Sequence, residues 1–207
     1  MAIILGLDCT TSLCSVALSE NGTIFYTQET SIPQQQAAQL PLMVQEAFAA
    51  THLSPTQLTH VAVTRGPGSF TGIRIGMAFA SGLAVAGDIP LLAIDTFDAM
   101  AVKHVRPYLQ LIDTKCGDYY GRFGPVNQPV EEKVYSVEDI KQRSLEGISL
   151  YCDTALNGIL TADHHQVFIQ PPHAKQLLTF VAQHLAQGYA FETTPYYMRK
   201  PAIHGQH

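Results

Sequence analysis

The sequence predicts an α/β protein in which mixed sheets are flanked by helices. Three observations in the first hundred residues support this class. Short apolar runs of strand length alternate with longer segments of helical periodicity. The first run ends in an aspartate and passes through a hydroxyl-rich turn into a hairpin signal. A glycine-rich turn, within "RGPGSFTGIRIG" at residues 65–76, joins a strand to an apolar helix.

The chain opens with three predicted strands. Residues 2–8 ("AIILGLD") are apolar and end in Asp8, and a Thr-Thr-Ser turn leads to a second strand at residues 13–19. An Asn-Gly pair at positions 21–22 is a two-residue hairpin signal and precedes a third strand at residues 22–30. This opening is typical of an actin-like fold, in which the turn after the first strand faces the nucleotide phosphates.

The first hundred residues continue as alternating helices and strands. Residues 34–50 predict a helix, and Pro41 inside it implies a late start or a kink. Strands are predicted at residues 60–65 and 89–95, and between them a helix at residues 71–85 follows the glycine turn. One side of the first helix carries Leu40, Met43, Val44, Ala47 and Phe48.

The second half of the chain is less regular. Residues 107–113 and 117–123 predict a hairpin, and we interpret Asp113 and Asp118 beside its turn as turn caps rather than a catalytic carboxylate pair. The adjacent His164-His165 pair lies in a predicted loop and is interpreted as surface, not as a metal site. Four further elements are predicted: a strand at 128–136, a short helix at 136–143, a buried strand at 148–153 and an amphipathic helix at 175–187.

Composition and charge narrow the function classes. The 207 residues are 46% hydrophobic and 14% charged, as in an ordinary globular protein, and the net charge is −5. A free-standing nucleic-acid binder usually carries a basic patch, and this sequence has none. The sequence shows neither an apolar run of membrane length nor a basic start typical of a secretory signal, so we expect a cytoplasmic protein. The four cysteines form no C-x-x-C pair and are expected to be buried, reduced thiols.

The glycine turn fails both phosphate-binding motifs. A P-loop requires a lysine that this turn and its helix lack, and a dinucleotide fingerprint requires its third glycine one residue earlier. The favoured interpretation is a tight strand-to-helix turn capped by Ser69 or Thr71, with anion binding at the helix N-terminus as the alternative. The motif residues are Arg65, Gly66, Pro67, Gly68, Ser69, Phe70, Thr71 and Arg74.

The helix after the turn carries a stripe of small residues. Gly72, Gly76, Ala80 and Ala84 recur every four positions, and the helix is apolar nearly all round from residue 75 to residue 86. Such a helix must be buried on several sides. Two explanations remain open: it packs only against its own sheet, or it joins the 34–50 helix in a bundle with another chain.

Several of these stretches closely resemble the TsaB (YeaZ) family. They are "ILGLDCTTSLCSVALSENG", "LTHVAVTRGPGSFTGIRIGMAFASGLA", "DTKCGDYYG" and "PYYMR". Thr64 stands where the family usually has glycine, and residues 124–147 look shortened. The resemblance implies a two-lobed actin-like (ASKHA, ribonuclease-H-like) fold, with one lobe at 1–98 and a smaller lobe at 99–207 whose last segment can pack back on the first. In the tail, Tyr196, Tyr197 and Arg199 are interpreted as structural rather than RNA-stacking.

The resemblance also implies a role and partners. TsaB proteins bind and activate TsaD, which installs threonylcarbamoyl on the adenosine beside the anticodon of certain tRNAs, and a TsaE-type ATPase completes a larger complex. We expect this chain to be a subunit that pairs with TsaD, or with a second copy of itself when TsaD is absent. We expect it to reach tRNA only through the complex and to have no membrane partner. The expected interface residues are Leu40, Met43, Val44, Ala47, Gly72, Ile73, Gly76, Met77, Ala80 and Ala84.

The residues also bear on catalysis. Active relatives carry glycine two residues after the first-strand aspartate, whereas Thr10 stands there in this chain and would crowd a phosphate. No H-x-x-x-H pair for a metal occurs, which also argues against the glycoprotease activity once attributed to this superfamily. We therefore expect no enzyme activity, a vestigial phosphate loop at Asp8, Thr10 and Thr11, and no cofactor, with nucleotide only at an interface with TsaD or TsaE. The alternatives are an ATP-dependent phosphotransferase, a metal-dependent hydrolase, or an interaction protein with another partner.

Overall fold

The computed structural model describes residues 1–31, 35–100, 107–125, 129–144, 148–156 and 167–199. They form ten strands and four helices, with short 3-10 turns between them. The His164-His165 pair, residue 34 at the predicted helix start and the last eight residues lie outside these ranges.

A mixed five-stranded sheet forms the first lobe, in the order β3-β2-β1-β4-β5. Strand β1 is antiparallel to β2 and parallel to β4, which in turn is parallel to β5. The strands are β1 (Ile3–Asp8), β2 (Cys14–Glu20), β3 (Thr23–Thr30), β4 (His60–Thr64) and β5 (Leu91–Ile94). The strands predicted in this part of the sequence are confirmed.

Helices cover both faces of this sheet. Helices α1 (Gln36–Thr51) and α2 (Phe70–Gly87) share one core with Leu5 and Leu7, and α4 (Ala174–His184) shares the opposite core with Ile4. This alternation follows from the two-residue repeat of a strand, since successive side chains point to opposite faces. The amphipathic helix predicted from the late sequence thus returns to the first sheet.

The second sheet repeats the order of the first. Its order is β10-β9-β6-β7-β8, so an antiparallel pair again adjoins parallel strands, with β6 in the place of β1. No repeat is visible in the sequence, so the likeness lies in the topology. The elements are β6 (Tyr108–Asp113), β7 (Tyr119–Gly124), β8 (Glu131–Tyr135), α3 (Val137–Ser144), β9 (Ser149–Cys152) and β10 (Val167–Ile169).

Cys9, Cys14 and Cys152 are buried thiols as expected, but Cys116 is exposed because it lies in the turn between β6 and β7.

Helix α2 is long and apolar enough to cross a membrane by length and composition, with 33% of it buried. A core helix passes the same test, and six of its residues lie in the core of the first lobe.

Candidate functional site

The glycines of the 65–76 turn are explained by contacts with the chain itself. A side chain at Gly66 would overlap the carbonyl oxygen of Tyr196, and one at Gly68 would overlap that of Thr10. Both glycines have positive φ angles, of 114° and 155°. Further on, Gly72 lies so close to the carbonyl of Cys9 that a side chain cannot fit. The glycines therefore allow close backbone approach, which is the tight-turn interpretation of the sequence.

Polar contacts fix both ends of this turn. The Ser69 hydroxyl accepts a hydrogen bond from the Gly72 amide at 3.2 Å and so caps α2, while the Ser69 amide donates to the Thr10 carbonyl at 2.6 Å. Arg65 pairs with Asp95 at 2.7 Å, and its carbonyl accepts from the Tyr196 amide at 2.8 Å. The start of the motif thus holds the C-terminal segment against the first lobe.

Asp8 is enclosed by the chain's own hydroxyls. It is fully buried, and its Oδ1 accepts hydrogen bonds from Thr10 Oγ1 at 2.7 Å and Thr64 Oγ1 at 2.5 Å. Burial raises the pKa of this carboxyl, and the two hydroxyl bonds oppose that effect. Thr64 therefore has a structural role, because its hydroxyl is a second donor to the Asp8 oxygen that Thr10 also bonds.

A cleft of about 540 Å³ lies between the two lobes. The turn after β1, the start of α2, the β6–β7 turn and the C-terminal segment line it. Its most buried carboxylate is Asp153, whose pKa is raised to about 6 by burial and whose Oδ1 accepts from the Asp113 amide at 2.9 Å. Within the described residues, no three His, Cys, Asp or Glu side chains are grouped as metal ligands. The lining includes Thr10, Thr11, Ser12, Phe70, Asp113, Lys115, Asp153, Tyr197 and Arg199.

The aspartates flanking the β6–β7 hairpin are turn caps, as predicted. Asp113 Oδ1 accepts from the Lys115 amide at 2.7 Å, and Asp118 Oδ1 accepts from Thr114 Oγ1 at 2.5 Å. Asp118 also pairs with Arg199. The two carboxylates are thus engaged within their own turn and by the C-terminal segment.

The tail residues make structural contacts. The Tyr196 hydroxyl donates to Glu132 at 2.8 Å, and the ring of Tyr197 lies 5.1 Å from that of Phe70. Arg74 is exposed on α2, with its guanidinium 3.7 Å from the centre of the Phe70 ring. These contacts tie the tail to both lobes.

The structure corrects the residues expected at a partner interface. All ten are buried in the core of this chain, so none is free to contact a partner while the first lobe is folded. Ala80 and Leu40, for example, are 0% exposed. The physical reason is that the small-residue stripe lets α2 approach β1 and β4 closely. The buried set is Leu40, Met43, Val44, Ala47, Gly72, Ile73, Gly76, Met77, Ala80 and Ala84.

The opposite side of the same helices is exposed and largely apolar. On α2, Ala78, Gly82, Val85 and Ala86 face outward, and Val85 is 81% exposed. No charged residue occurs between Arg74 and Asp88. On α1 the outward residues include Ala38, Pro41, Leu42, Gln45 and Ala49, with Leu42 50% exposed. We call these nine residues, together on the neighbouring helices, the outer helix face.

A second stripe of small residues in the sequence marks this face. Ala78, Gly82 and Ala86 also recur every four positions, offset by two from the stripe that contains Gly76 and Ala80. Two residues correspond to about half a helical turn, so the two stripes lie on opposite sides. The spacing is the same in both stripes, so it does not indicate which of them faces the sheet.

Comparison with known proteins shows which proteins this chain resembles in sequence. Residues 30–120 match the family model described as TsaD, tRNA N6-adenosine threonylcarbamoyltransferase. The chain is 36% identical over 122 residues to the tRNA threonylcarbamoyladenosine biosynthesis protein TsaB of Escherichia coli, covering 56% of this chain and 52% of that one. It is 35% identical over 138 residues to TsaB of Haemophilus influenzae, covering 64% and 56%. The chain thus spans about half the length of these curated relatives.

A solved structure extends the likeness in fold to nearly the whole chain. A Pseudomonas aeruginosa protein described as similar to peptidase YeaZ superposes with a TM-score of 0.75 at 24% identity, covering 96% of this chain and 100% of that one. The predicted two-lobed, actin-like (ribonuclease-H-like) arrangement of mixed sheets and helices is thereby confirmed. Together with the sequence matches, it makes the chain similar to TsaB (YeaZ) proteins in sequence over about half of their length and in fold over nearly all of this chain.

Proposed function

We propose that this chain takes part in the synthesis of threonylcarbamoyladenosine in tRNA, as a non-catalytic scaffold subunit that binds and activates a TsaD-type protein. The observation that carries this proposal is the outer helix face, an exposed apolar surface on two helices whose opposite sides are buried in the first-lobe core. The names of the relatives in Escherichia coli and Haemophilus influenzae support the pathway.

The chemistry of the outer helix face suits another helix pair. Its α2 half carries only small or aliphatic side chains and no charge, so a second backbone can approach it closely. Contiguous exposed apolar surface of this kind commonly marks an interaction site. The helix cannot serve instead as a membrane span, because six of its residues are part of the first-lobe core.

The sequence match indicates the kind of partner. The TsaD family model matches residues 30–120, a range that includes both α1 and α2. We therefore expect a TsaD-type protein to carry a related helix pair, and we propose that this pair packs on the outer helix face about a local twofold axis. For the same reason a second copy of this chain is the expected partner when no TsaD-type protein is present.

The contacts around Asp8 and the glycine turn support a non-catalytic role. Asp8 is fully buried and holds the hydroxyls of Thr10 and Thr64, so in this arrangement it has no access to a phosphate or a metal ion. Carbonyl groups of the chain lie against the glycines of the turn. We propose that nucleotide binds only where the chain meets TsaD-type or TsaE-type subunits, and that tRNA is reached through the complex.

A reconstituted modification reaction tests this function. A TsaD-type protein, a TsaE-type ATPase and the threonylcarbamoyl-adenylate synthase are mixed with tRNA, and formation of threonylcarbamoyladenosine is followed with and without this chain. We expect modification only when the chain is present, and an unchanged rate with Asp8→Asn. Full modification without the chain contradicts the proposed role, and loss of activity with folded Asp8→Asn contradicts its non-catalytic nature.

A further inference from the structure

A buried arginine connects the two lobes. Arg122 lies on β7 of the second lobe, and its side chain is only 12% exposed. Its Nη2 lies 3.2 Å from Asp95 Oδ2, and its Nη1 bonds Asp98; both carboxylates belong to the segment that follows β5 of the first lobe. Its Nε donates to Glu132 on β8 at 2.6 Å. One guanidinium thus binds three carboxylates that come from both lobes.

Neighbouring groups reinforce this cluster. Asp95 also pairs with Arg65 at 2.7 Å, and Glu132 also accepts from the Tyr196 hydroxyl at 2.8 Å. Burial raises the pKa of Asp95, against the effect of the two arginines, while the pKa of Arg122 is raised by Asp98 and Glu132 against burial. These opposing effects are those of ion pairs withdrawn from water, in which loss of one partner leaves costly unpaired charge.

A second contact crosses between the lobes beside the cluster. The Gln110 amide on β6 is 1% exposed and donates to the Phe97 carbonyl of the first lobe at 2.6 Å. The Arg122 guanidinium lies 4.9 Å from the centre of the Phe97 ring. The segment of residues 95–98 is therefore held by the second lobe through both an ion-pair network and a hydrogen bond from the Gln110 side-chain amide.

We propose that Arg122, Asp95, Asp98 and Glu132 form an interlobe latch that fixes the angle between the two lobes in the free protein. The planar guanidinium directs its donors in fixed directions, so rotation of one lobe separates it from carboxylates of the other. A lysine cannot replace it, because one ammonium group does not satisfy three carboxylates in this fork geometry. The latch is a property of the chain alone and does not depend on the proposed partner.

Distances between spin labels test the latch. Labels are placed at exposed positions in a Cys116→Ser background, with Gln57→Cys in the first lobe and Glu138→Cys in the second. A second pair within the first lobe, Gln57→Cys and Ala182→Cys, reports whether that lobe stays folded. The labelled chain is diluted into an excess of unlabelled chain, because self-pairing would add distances between copies, and pulsed electron resonance then gives the distribution of each distance within one chain without any TsaD-type protein.

The test compares Arg122→Met with Lys133→Met, which removes the charge of an exposed lysine paired with Glu131 inside the second lobe. We expect Arg122→Met to broaden the interlobe distribution by about twofold while the intralobe pair stays narrow, since hinge motion moves lobes as bodies. Lys133→Met should leave both unchanged. If Arg122→Met does not fold, Arg122→Lys decides, and it too should broaden the interlobe distance.

Two results would refute the interlobe latch. An interlobe distribution as narrow as that of the unaltered chain, in a folded Arg122→Met or Arg122→Lys variant, refutes the latch. Equal broadening with Lys133→Met also refutes it, because the effect would then follow from any lost charge. Neither outcome depends on partner binding, so failure here is distinct from failure of the proposed function.

Discussion

Three glycines of α2 differ in their surroundings, and substituting each with alanine tests the packing explanation of the glycine motif. Gly82 is exposed, and a methyl group added there would have no atom within 4 Å, whereas a methyl at Gly76 would make ordinary contact with Val63 at 3.5 Å. A methyl at Gly72 would overlap the Cys9 carbonyl, a backbone group that cannot rotate away. The three sites share one helix, so their helix propensities are comparable.

The expected magnitudes follow from two opposing effects. Replacing a helical glycine with alanine raises the free energy of unfolding by about 1 kcal/mol. Gly82→Ala should show this gain, and Gly76→Ala should show it or somewhat less. At Gly72 the overlap costs roughly 1–3 kcal/mol or more, as overpacking does in cores, and outweighs the gain. We therefore expect Gly72→Ala to lose up to about 2 kcal/mol net.

Urea unfolding followed by circular dichroism measures these differences. The urea concentration at the unfolding midpoint should be highest for Gly82→Ala and should then decrease through Gly76→Ala and the unaltered chain to Gly72→Ala, with similar slopes. A Gly72→Ala variant as stable as Gly82→Ala would refute the packing explanation. The glycines of the motif would then need another cause, such as a ligand at the turn.

Three further predictions concern the tail, the cleft and catalysis. Arg65→Met removes the ion pair with Asp95, so we expect a loss of about 1–3 kcal/mol in urea unfolding and faster proteolysis of residues 189–199. The pKa of Asp153 is raised to about 6, so the folded chain binds more protons than the unfolded chain between pH 4 and 6, and stability falls as pH rises through that window. Asp153→Asn should remove up to roughly 3 kcal/mol of this pH dependence, and an unaltered pH profile would contradict it. Calorimetry of the isolated chain with ATP and Mg²⁺ should show no micromolar binding, while binding with turnover would favour an enzyme.

Much of the first lobe could be predicted from local patterns. The Asn-Gly pair at positions 21–22 fixed the hairpin between β2 and β3, and the glycine turn marked the start of α2 at Phe70. Signals of this kind are local, because turn geometry and capping depend on a few neighbouring residues. Pro41 is also accommodated: it lies on the exposed side of α1, which begins at Gln36 and continues through it.

The orientation of α2 could not be predicted, for a physical reason. The helix is apolar on every side, so periodicity does not distinguish the core face from the exposed face. The stripes that contain Gly76 and Gly82 have the same four-residue spacing. Only the position of β1 and β4 decides that Gly76 faces inward and Gly82 outward.

The contacts between the lobes could not be predicted from the sequence either. Arg122 is 24 residues from Asp98 in sequence, and nothing local links the two. The close approach of Tyr196 to Gly66 joins residues still farther apart. Such contacts depend on how two sheets are placed, which no motif encodes.

The outer helix face is the central claim, and one affinity measurement tests it most directly. Ala78→Arg places a charged side chain on the exposed side of α2, and Ala182→Arg makes the same change on exposed α4 across the sheet. Both positions are exposed, so both variants should unfold at the same urea concentration as the unaltered chain. Binding to a TsaD-type protein is then measured by calorimetry.

We predict that Ala78→Arg weakens this binding by at least about a hundredfold, as burial of an unpaired charge at an interface costs several kcal/mol. Ala182→Arg should bind as the unaltered chain does. Unchanged affinity in a folded Ala78→Arg variant would contradict the claim that this face receives the partner.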